Sequence, residues 1–386
     1  MSKTRTLILV TGMHRSGTSV LTRVLHLLGA GLGDDLLPAE AGINERGFWE
    51  HKHLLSINER LLEALEHTWY DFRPLPENWL KNPFIETLHA EATDFLRQEL
   101  GNAPLAAIKD PRLCLLLPFW ESAASNAGFI PKVVLATRDP SEVAGSLCRR
   151  DPLVFQAALM LWLEYSLQAE HDSRGMQRAV VDYATLLSDW RSTVRTLADA
   201  LEIQWPADPD QAGDAIDRAV DPSLKHQHRN ATEKGSSLLS LAEEVHQTLN
   251  RSTLDPARMD ELRDRFRTLQ ADCRELTDAL AGSTRKLFRL NNELQSLGSA
   301  HQQALTTLDK RDRQLEARTR EWQQFGKELE YCRSVVTERD EQLQKLTRER
   351  DEQLQKLTRE YEELVSHPMI RVVRKLFMRD RDETDR

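Results

Sequence analysis

The chain has 386 residues, which is enough for two or three structural units. Its 52 Lys and Arg residues are outnumbered by 61 Asp and Glu residues, and the net charge of −9 argues against broad nucleic-acid binding. The four cysteines are scattered without metal-ligand spacing, which indicates reduced thiols in a cytoplasmic protein, and no segment approaches the ~20 apolar residues that span a bilayer.

The first motif lies near the N-terminus, where an apolar run is followed by Gly12-Met13-His14-Arg15-Ser16-Gly17-Thr18-Ser19 and then by an amphipathic segment. This order predicts a strand, a glycine loop and a helix, and such a loop aims backbone N–H groups at a phosphate or sulfate. The glycine spacing is that of a Walker A loop. However, Thr18 stands in place of the lysine of nucleotide triphosphatases, which argues against ATP or GTP. Arg15 lies inside the loop, where its guanidinium can donate two parallel hydrogen bonds to an oxyanion.

Short β patterns alternate with helical patterns as far as about residue 230, which predicts a parallel sheet with helices on both faces. The predicted strands are residues 6–10, 105–108, 132–137 and 178–183. The predicted helices are residues 18–28, 113–126, 141–149, 153–171 and 184–201. Ligands of such sheets bind beyond the carboxyl ends of the strands. The glycine loop, residues 109–112 and residues 138–146 each follow a predicted strand, so we expect them to converge on one crevice.

A second motif follows the predicted strand at residues 132–137 and consists of Arg138 with Ser146 eight residues later. With both motifs, residues 5–230 resemble the sulfotransferases. In that family the first motif holds the 5′-phosphosulfate of 3′-phosphoadenylyl sulfate (PAPS), and the second binds its 3′-phosphate. The resemblance is to bacterial-type sulfotransferase domains, and it also matches Tyr183 to a tyrosine near the nucleotide. The co-substrate residues that it implies are Arg15, Ser16, Gly17, Thr18, Ser19, Arg138, Ser146 and Tyr183.

The resemblance also implies catalytic groups. Arg15 and Lys109 would stabilise the transferring group, unless Lys109 and Arg112 simply pair with nearby acids. The base that takes the acceptor's proton is expected in residues 44–53. We expect Glu50, which stands beside an aromatic pair whose low polarity raises the pKa of a carboxylate. The alternatives that stay open are a helix-capping role for Glu50 and a base at Glu45, His51 or His53.

The last third of the chain changes character. From Leu262 to Leu346, apolar residues recur at alternating steps of four and three, which is the heptad pattern of a coiled coil. The unit RDEQLQKLTRE occurs twice in succession, at residues 339–349 and 350–360. Past Pro368 the chain is apolar and basic, which suits weak contact with an anionic membrane surface or docking on a partner.

The predicted fold class is α/β, with a P-loop-like parallel sheet followed by a long α-helical coiled coil. The predicted segments are a sulfotransferase-like domain in residues 1–235, a linker or short helix in 236–256, a coiled coil in 257–366 and a basic amphipathic tail in 367–386. We expect a homo-oligomer that forms through the coiled coil.

The predicted function is PAPS-dependent transfer of a sulfuryl group to a hydroxyl or amine of a small-molecule or glycan acceptor. A carbohydrate or glycolipid is favoured by analogy. We expect neither a metal nor a nucleic-acid partner. Two alternatives stay open. ATP turnover with Mg²⁺ would favour a P-loop small-molecule kinase, and absence of binding to 3′-phosphoadenosine 5′-phosphate (PAP) would favour a non-catalytic coiled-coil scaffold.

Overall fold

The protein is described by a computed structural model, and its chain divides into two compact units. The first unit contains the described residues up to Ala281, and the second contains those from Gly282 onward. The residues that the structure describes are 5–39, 47–220, 236–251, 253–272, 274–321 and 328–366. In these ranges, no helix is both long enough and apolar enough to cross a membrane.

A parallel sheet forms the centre of the first unit. Its strands are β1 (Arg5–Thr11), β2 (Leu105–Lys109), β3 (Phe129–Thr137) and β4 (Arg178–Asp182). Their order in the sheet is β2-β1-β3-β4. Val10 of β1 lies opposite both Lys109 of β2 and Val134 of β3. The predicted parallel sheet is therefore confirmed, and the carboxyl ends of its strands meet at one edge.

Ten helices precede residue 250 in the described part of the chain. They are α1 (Thr18–Leu27), α2 (Lys52–Ala64), α3 (Pro83–Leu100), α4 (Leu113–Asn126), α5 (Pro140–Arg150), α6 (Phe155–Asp172), α7 (Tyr183–Ser188), α8 (Trp190–Ala200), α9 (Gly213–Ala219) and α10 (Ser237–Leu249). A short 3-10 helix covers Trp79–Lys81. Apolar residues of α1, α8 and α9 share one buried cluster with alternate residues of the strands. Helices α4 and α6 pack on β3, and α4 also packs on β1. The strands are accordingly apolar on both faces, as buried parallel strands are.

The helix predicted over residues 184–201 is two helices in the structure. Asp189 lies between α7 and α8, with φ −148° and ψ 70°, outside the helical region. Its carboxylate accepts the backbone N–H of Ser192 at 3.0 Å. Aspartate is favoured at the first position before a helix because it satisfies such N–H groups, so the chain starts a new helix at this point.

The helix α11 (Pro256–Asp272) belongs to the first unit. Leu262 and Phe266, which begin the heptad pattern, are 0% exposed. Arg267 of α11 donates to Glu164 of α6 at 2.9 Å. Helices α10 and α11 bury their apolar faces against α6 and each other. The two compact units divide after residue 281, and the predicted boundaries after residues 235 and 256 stay predictions.

The second unit is helical. The two long helices are α12 (Arg274–Glu321) and α13 (Glu328–Ser366). Lys286 of α12 and Glu360 of α13 form an ion pair at 3.3 Å. Because these residues lie far from the chain segment that joins the helices, α12 and α13 run beside each other as a hairpin. The coiled coil predicted for residues 257–366 stays a prediction. The predicted basic tail, residues 367–386, lies outside the described residues.

Candidate active site

The loop after β1 has the geometry of an anion-binding loop. Gly12 and Gly17 have φ values of +143° and +86°. A Cβ at Gly12 would lie 2.5 Å from the carbonyl oxygen of Ala136, so only glycine fits where the loop passes β3. Gly17 is the N-cap of α1 and has no side chain with which to cap the helix. The positive end of the helix dipole is therefore directed at the loop, where it attracts anions.

Arg15 and the second motif lie together. The Nε of Arg15 donates to the hydroxyl of Ser146 at 2.8 Å across 131 positions of the chain. An Nη1–H of Arg138 donates to the backbone carbonyl of Arg15 at 3.2 Å across 123 positions. The two motifs therefore line one cleft at the carboxyl edge of the sheet. The convergence expected from the strand ends is observed.

Tyr183 lies against both motifs. A Cβ placed on Gly17 would be 2.2 Å from the Cδ2 atom of Tyr183, so the tyrosine ring packs directly on the loop. The guanidinium of Arg138 stands over the same ring, 4.5 Å from its centroid. Arg138 also pairs with Glu142 at 2.9 Å, and its side chain is nearly buried. The ring and the carboxylate together hold the Arg138 guanidinium at the cleft.

Positive charge is concentrated around Arg15. Burial lowers the pKa of Arg15, and the neighbouring guanidinium groups of Arg150 and Arg138 lower it further. Asp151 acts in the opposite direction. Several buried or half-buried cations at one loop create a positive potential, which favours an anionic ligand.

The two other predicted catalytic residues contact each other. The Nζ of Lys109 donates to an oxygen of Glu50, and both side chains are buried. The same ammonium donates to the carbonyl of Phe48 at 3.1 Å and to the hydroxyl of Ser19 at 3.2 Å. Ser19 belongs to the glycine loop, so Lys109 links that loop to Glu50.

The environment of Glu50 suits a proton acceptor. Burial raises the pKa of Glu50, and the charge of nearby Asp110 raises it further. The ammonium of Lys109 opposes this effect, but burial has the larger influence. A carboxylate whose pKa lies above the ordinary range for glutamate is a better base near neutral pH.

The other candidate bases are not in the same place. His51 is the N-cap of α2, because its Nδ1 accepts the backbone N–H of His53 at 3.2 Å. The capping role considered for Glu50 therefore belongs to His51, whose pKa is lowered by burial. His53 lies 3.3 Å from Glu91 of α3, and the ring of His51 meets the ring of Phe95 of the same helix edge to face. Glu45 lies outside the described residues.

The residues after Lys109 support the local backbone. Arg112 donates its backbone N–H to Asp110 at 2.7 Å, and its guanidinium reaches the same carboxylate at 3.1 Å. Lys109 and Arg112 thus each pair with a nearby acid, Glu50 and Asp110, and the catalytic role expected for Lys109 stays a prediction. Cys114 accepts the N–H of Gly12 at 3.0 Å, and burial raises the pKa of this thiol to about 12. This hydrogen bond ties the start of the glycine loop to α4.

Three residues that lie near the loop in the structure were not predicted to have a role in the site. The ring of His14 lies 4.6 Å from the ring of Trp69, and the guanidinium of Arg150 lies 5.4 Å from the same ring. His14 belongs to the glycine loop, so the sequence did indicate that it lies at the site. Arg150 lies one helical turn after Ser146 on α5, so the second motif was a signal for it as well. Trp69 belongs to no motif, and only the folded chain brings it to the loop.

Buried polar atoms at the loop are consistent with a ligand site. Ser16 is 1% exposed, and its hydroxyl has no hydrogen-bond partner among the residues that the structure describes. Buried hydroxyls in native proteins are nearly always paired. In the same ranges, no group of three or more His, Cys, Asp and Glu side chains is arranged to hold a metal ion.

No family model matches the chain, and no curated protein matches it. Solved structures that are similar to the chain include three sulfotransferases. The sulfotransferase domain of the Synechococcus PCC 7002 olefin synthase is 19% identical, with a TM-score of 0.32 over 72% of this chain and 96% of that one. The sulfotransferase domain from the curacin biosynthetic pathway is 18% identical, with a TM-score of 0.32 over 68% and 98%. Sulfotransferase STF9 from Mycobacterium avium is 13% identical, with a TM-score of 0.35 over 69% and 76%.

Proposed function

We propose that this chain is a sulfotransferase that moves the sulfuryl group of PAPS to a hydroxyl or amine of an acceptor. The observation that carries the proposal is the contact of Arg15 with both residues of the second motif. Arg15 bonds the hydroxyl of Ser146 at 2.8 Å and receives a hydrogen bond from Arg138 at 3.2 Å. PAPS carries anionic groups on the 3′ and 5′ positions of a single ribose, and two cationic anchors that lie next to each other in one cleft suit it.

In this proposal the glycine loop binds the 5′-phosphosulfate. Arg15 and the residues from Ser16 to Ser19 supply guanidinium, hydroxyl and backbone N–H donors, and the buried Ser16 hydroxyl gains a partner. Arg138 and Ser146 bind the 3′-phosphate. Tyr183 packs on the loop and under the Arg138 guanidinium, where it orients both for the nucleotide.

PAPS supplies the sulfuryl group and the leaving phosphate. As the acceptor oxygen or nitrogen bonds to sulfur, the bond between sulfur and the bridging oxygen breaks, and its electron pair stays on the 5′-phosphate of PAP. Lys109 and Arg15 stabilise the charge that develops on that oxygen. Glu50 takes the proton of the acceptor. Lys109 holds Glu50 beside the loop, so both groups act at one place.

The acceptor is proposed to be a carbohydrate or glycolipid, by the same analogy that the sequence suggested. Phe48 and Trp49 precede the proposed base in the chain. The side chain of Trp49 packs on the buried cluster around α1, so this aromatic stretch supports the acceptor by its sequence position alone. The two long helices α12 and α13 are proposed to mediate a homo-oligomer, because Leu305 and Leu346 on them are 37% and 42% exposed.

Calorimetry with PAP is the direct test of this function. We expect the full-length protein to bind PAP without added metal, and we expect mass spectrometry of extracts treated with enzyme and labelled PAPS to reveal a sulfated acceptor. Failure to bind PAP or PAPS would refute the proposal. Mg²⁺-dependent turnover of ATP would instead identify a small-molecule kinase.

A further inference from the structure

His14 has no role in the proposed function, although it lies in the middle of the glycine loop. The residue is half-buried, and its Nε2 atom is shielded from solvent and has no hydrogen-bond partner among the described residues. Native proteins rarely leave a buried polar atom without a partner, and a bound ligand is one way to supply it. The position of Nε2 therefore indicates contact with a ligand atom.

The surroundings of His14 define the charge of that ligand. Burial lowers the pKa of His14 well below its ordinary value, and the charges of Arg150, Arg112, Lys109 and Arg15 lower it further, in that order. These cations come from the loop itself, from the segment around the end of β2 and from the end of α5. The imidazole is therefore neutral near neutral pH, and a neutral imidazole carries one N–H donor.

A neutral donor among four cations suits an anionic oxygen. Lys109, Arg112 and Arg150 each pair with a carboxylate, which offsets part of their charge. The positive potential that remains attracts an anion to this place. An N–H on Nε2 would bond that anion, whereas a nitrogen lone pair there would repel it. Two of the cations, Lys109 and Arg15, are those proposed above to contact the transferring group. His14 therefore lies on the side of the loop where the sulfuryl group would be held.

We propose that His14 binds the sulfuryl group of PAPS, with its Nε2–H donating a hydrogen bond to a sulfuryl oxygen. This inference rests on the proposed function. The role differs from that of Glu50: His14 gives a hydrogen bond and takes no proton from the acceptor. A preorganised neutral donor of this kind stabilises charge on the sulfuryl oxygens as the group moves.

The test compares two ligands that differ only in the sulfuryl group. PAP lacks this group and PAPS carries it, and calorimetry measures the affinity of each for the full-length protein. In His14→Ala we expect PAP affinity to stay within about twofold and PAPS affinity to fall about fivefold to tenfold, which is the net effect of one lost hydrogen bond. His14→Gln keeps a neutral N–H donor near the same position, so we expect it to recover most of the PAPS affinity.

His89→Ala is the matched control. His89 also contacts an aromatic ring, that of Phe119 at 5.4 Å, and its Nε2 lies 3.0 Å from Ser122, but neither neighbour belongs to the proposed site. This variant should bind both ligands as the wild type does.

The outcomes separate the two levels of the proposal. A wild type that binds neither ligand refutes the proposed function itself. If the wild type binds both ligands and His14→Ala leaves the ratio of their affinities unchanged, the role of His14 alone is refuted. Equal losses of affinity for PAP and PAPS in both His14 variants would also refute this role, because they would mean that His14 only maintains the conformation of the loop.

Discussion

Arg138→Ala removes the guanidinium proposed to bind the 3′-phosphate of the donor. In the structure this group donates to the Arg15 carbonyl, pairs with Glu142 at 2.9 Å and stands over the Tyr183 ring. It is thus held in place before the ligand arrives, and little conformational entropy is lost on binding. The substitution also leaves the carboxylate of Glu142, which is 9% exposed, without this cation and close to the proposed phosphate position.

The size of the effect follows from these contacts. A hydrogen bond to a charged group contributes about 1.5–3 kcal/mol, and an arginine commonly makes two of them to a phosphate. Loss of two such bonds, about 3–6 kcal/mol, corresponds to PAP affinity reduced about 150-fold or more. Repulsion from Glu142 acts in the same direction, so we expect Glu142→Gln to restore part of the affinity in the double variant.

The assay is calorimetry with PAP and with adenosine 5′-phosphate, which lacks the 3′-phosphate. Arg138→Ala should lose affinity for PAP and keep its weaker affinity for adenosine 5′-phosphate. Arg149→Ala is the control, since Arg149 is an exposed residue of α5, the helix that follows Arg138, and its removal changes the net charge equally. Unchanged PAP affinity, or equal losses for the two ligands, would show that Arg138 does not bind the 3′-phosphate.

Three further predictions concern the base, the core and the second unit. Glu50→Gln should lower turnover about 100-fold or more with PAP affinity intact. In the wild type, turnover should fall as the pH drops through the pKa of Glu50, which is raised above the usual glutamate range. Survival of full activity in Glu50→Gln would exclude Glu50 as the base. Phe266→Ala should reduce the free energy of unfolding, measured with urea, by about 3–5 kcal/mol, because its ring is fully buried in the first unit; a loss below about 1 kcal/mol would contradict this packing. Deletion of residues 282–386 should abolish oligomerisation in sedimentation and spare PAP binding; a monomeric full-length protein would exclude the homo-oligomer.

The sheet and its ligand edge could be predicted from the sequence because their signals are local. Each strand is a short apolar run, and the glycine loop after β1 has a spacing that few other structures require. Parallel strands place their carboxyl ends at one edge. The contact of Arg15 with Ser146 therefore followed from two local patterns and one rule of topology.

The remaining features depend on contacts between distant segments. The apolar spacing that begins at Leu262 and Phe266 serves equally well in a coiled coil or against α6, because both partners require the same stripe. Sequence periodicity does not distinguish them. Trp69 reaches the loop only through packing, and nothing in its own neighbourhood in the chain indicates this. The break between helices at Asp189 depends on one side chain that caps the next helix. The spacing of apolar residues along the chain does not reveal such a cap.

The hydrogen bond from Gly12 to Cys114 has a practical consequence. Alkylating reagents react with thiolates, and a buried sulfur whose pKa is raised to about 12 is almost never in that form in the folded protein. Iodoacetamide should therefore modify Cys114 only when α4 and the loop separate. The rate of that modification reports how often this part of the protein opens. A nucleotide that holds the loop closed should slow the modification. The native thiol of Cys114 can therefore report occupancy of the cleft.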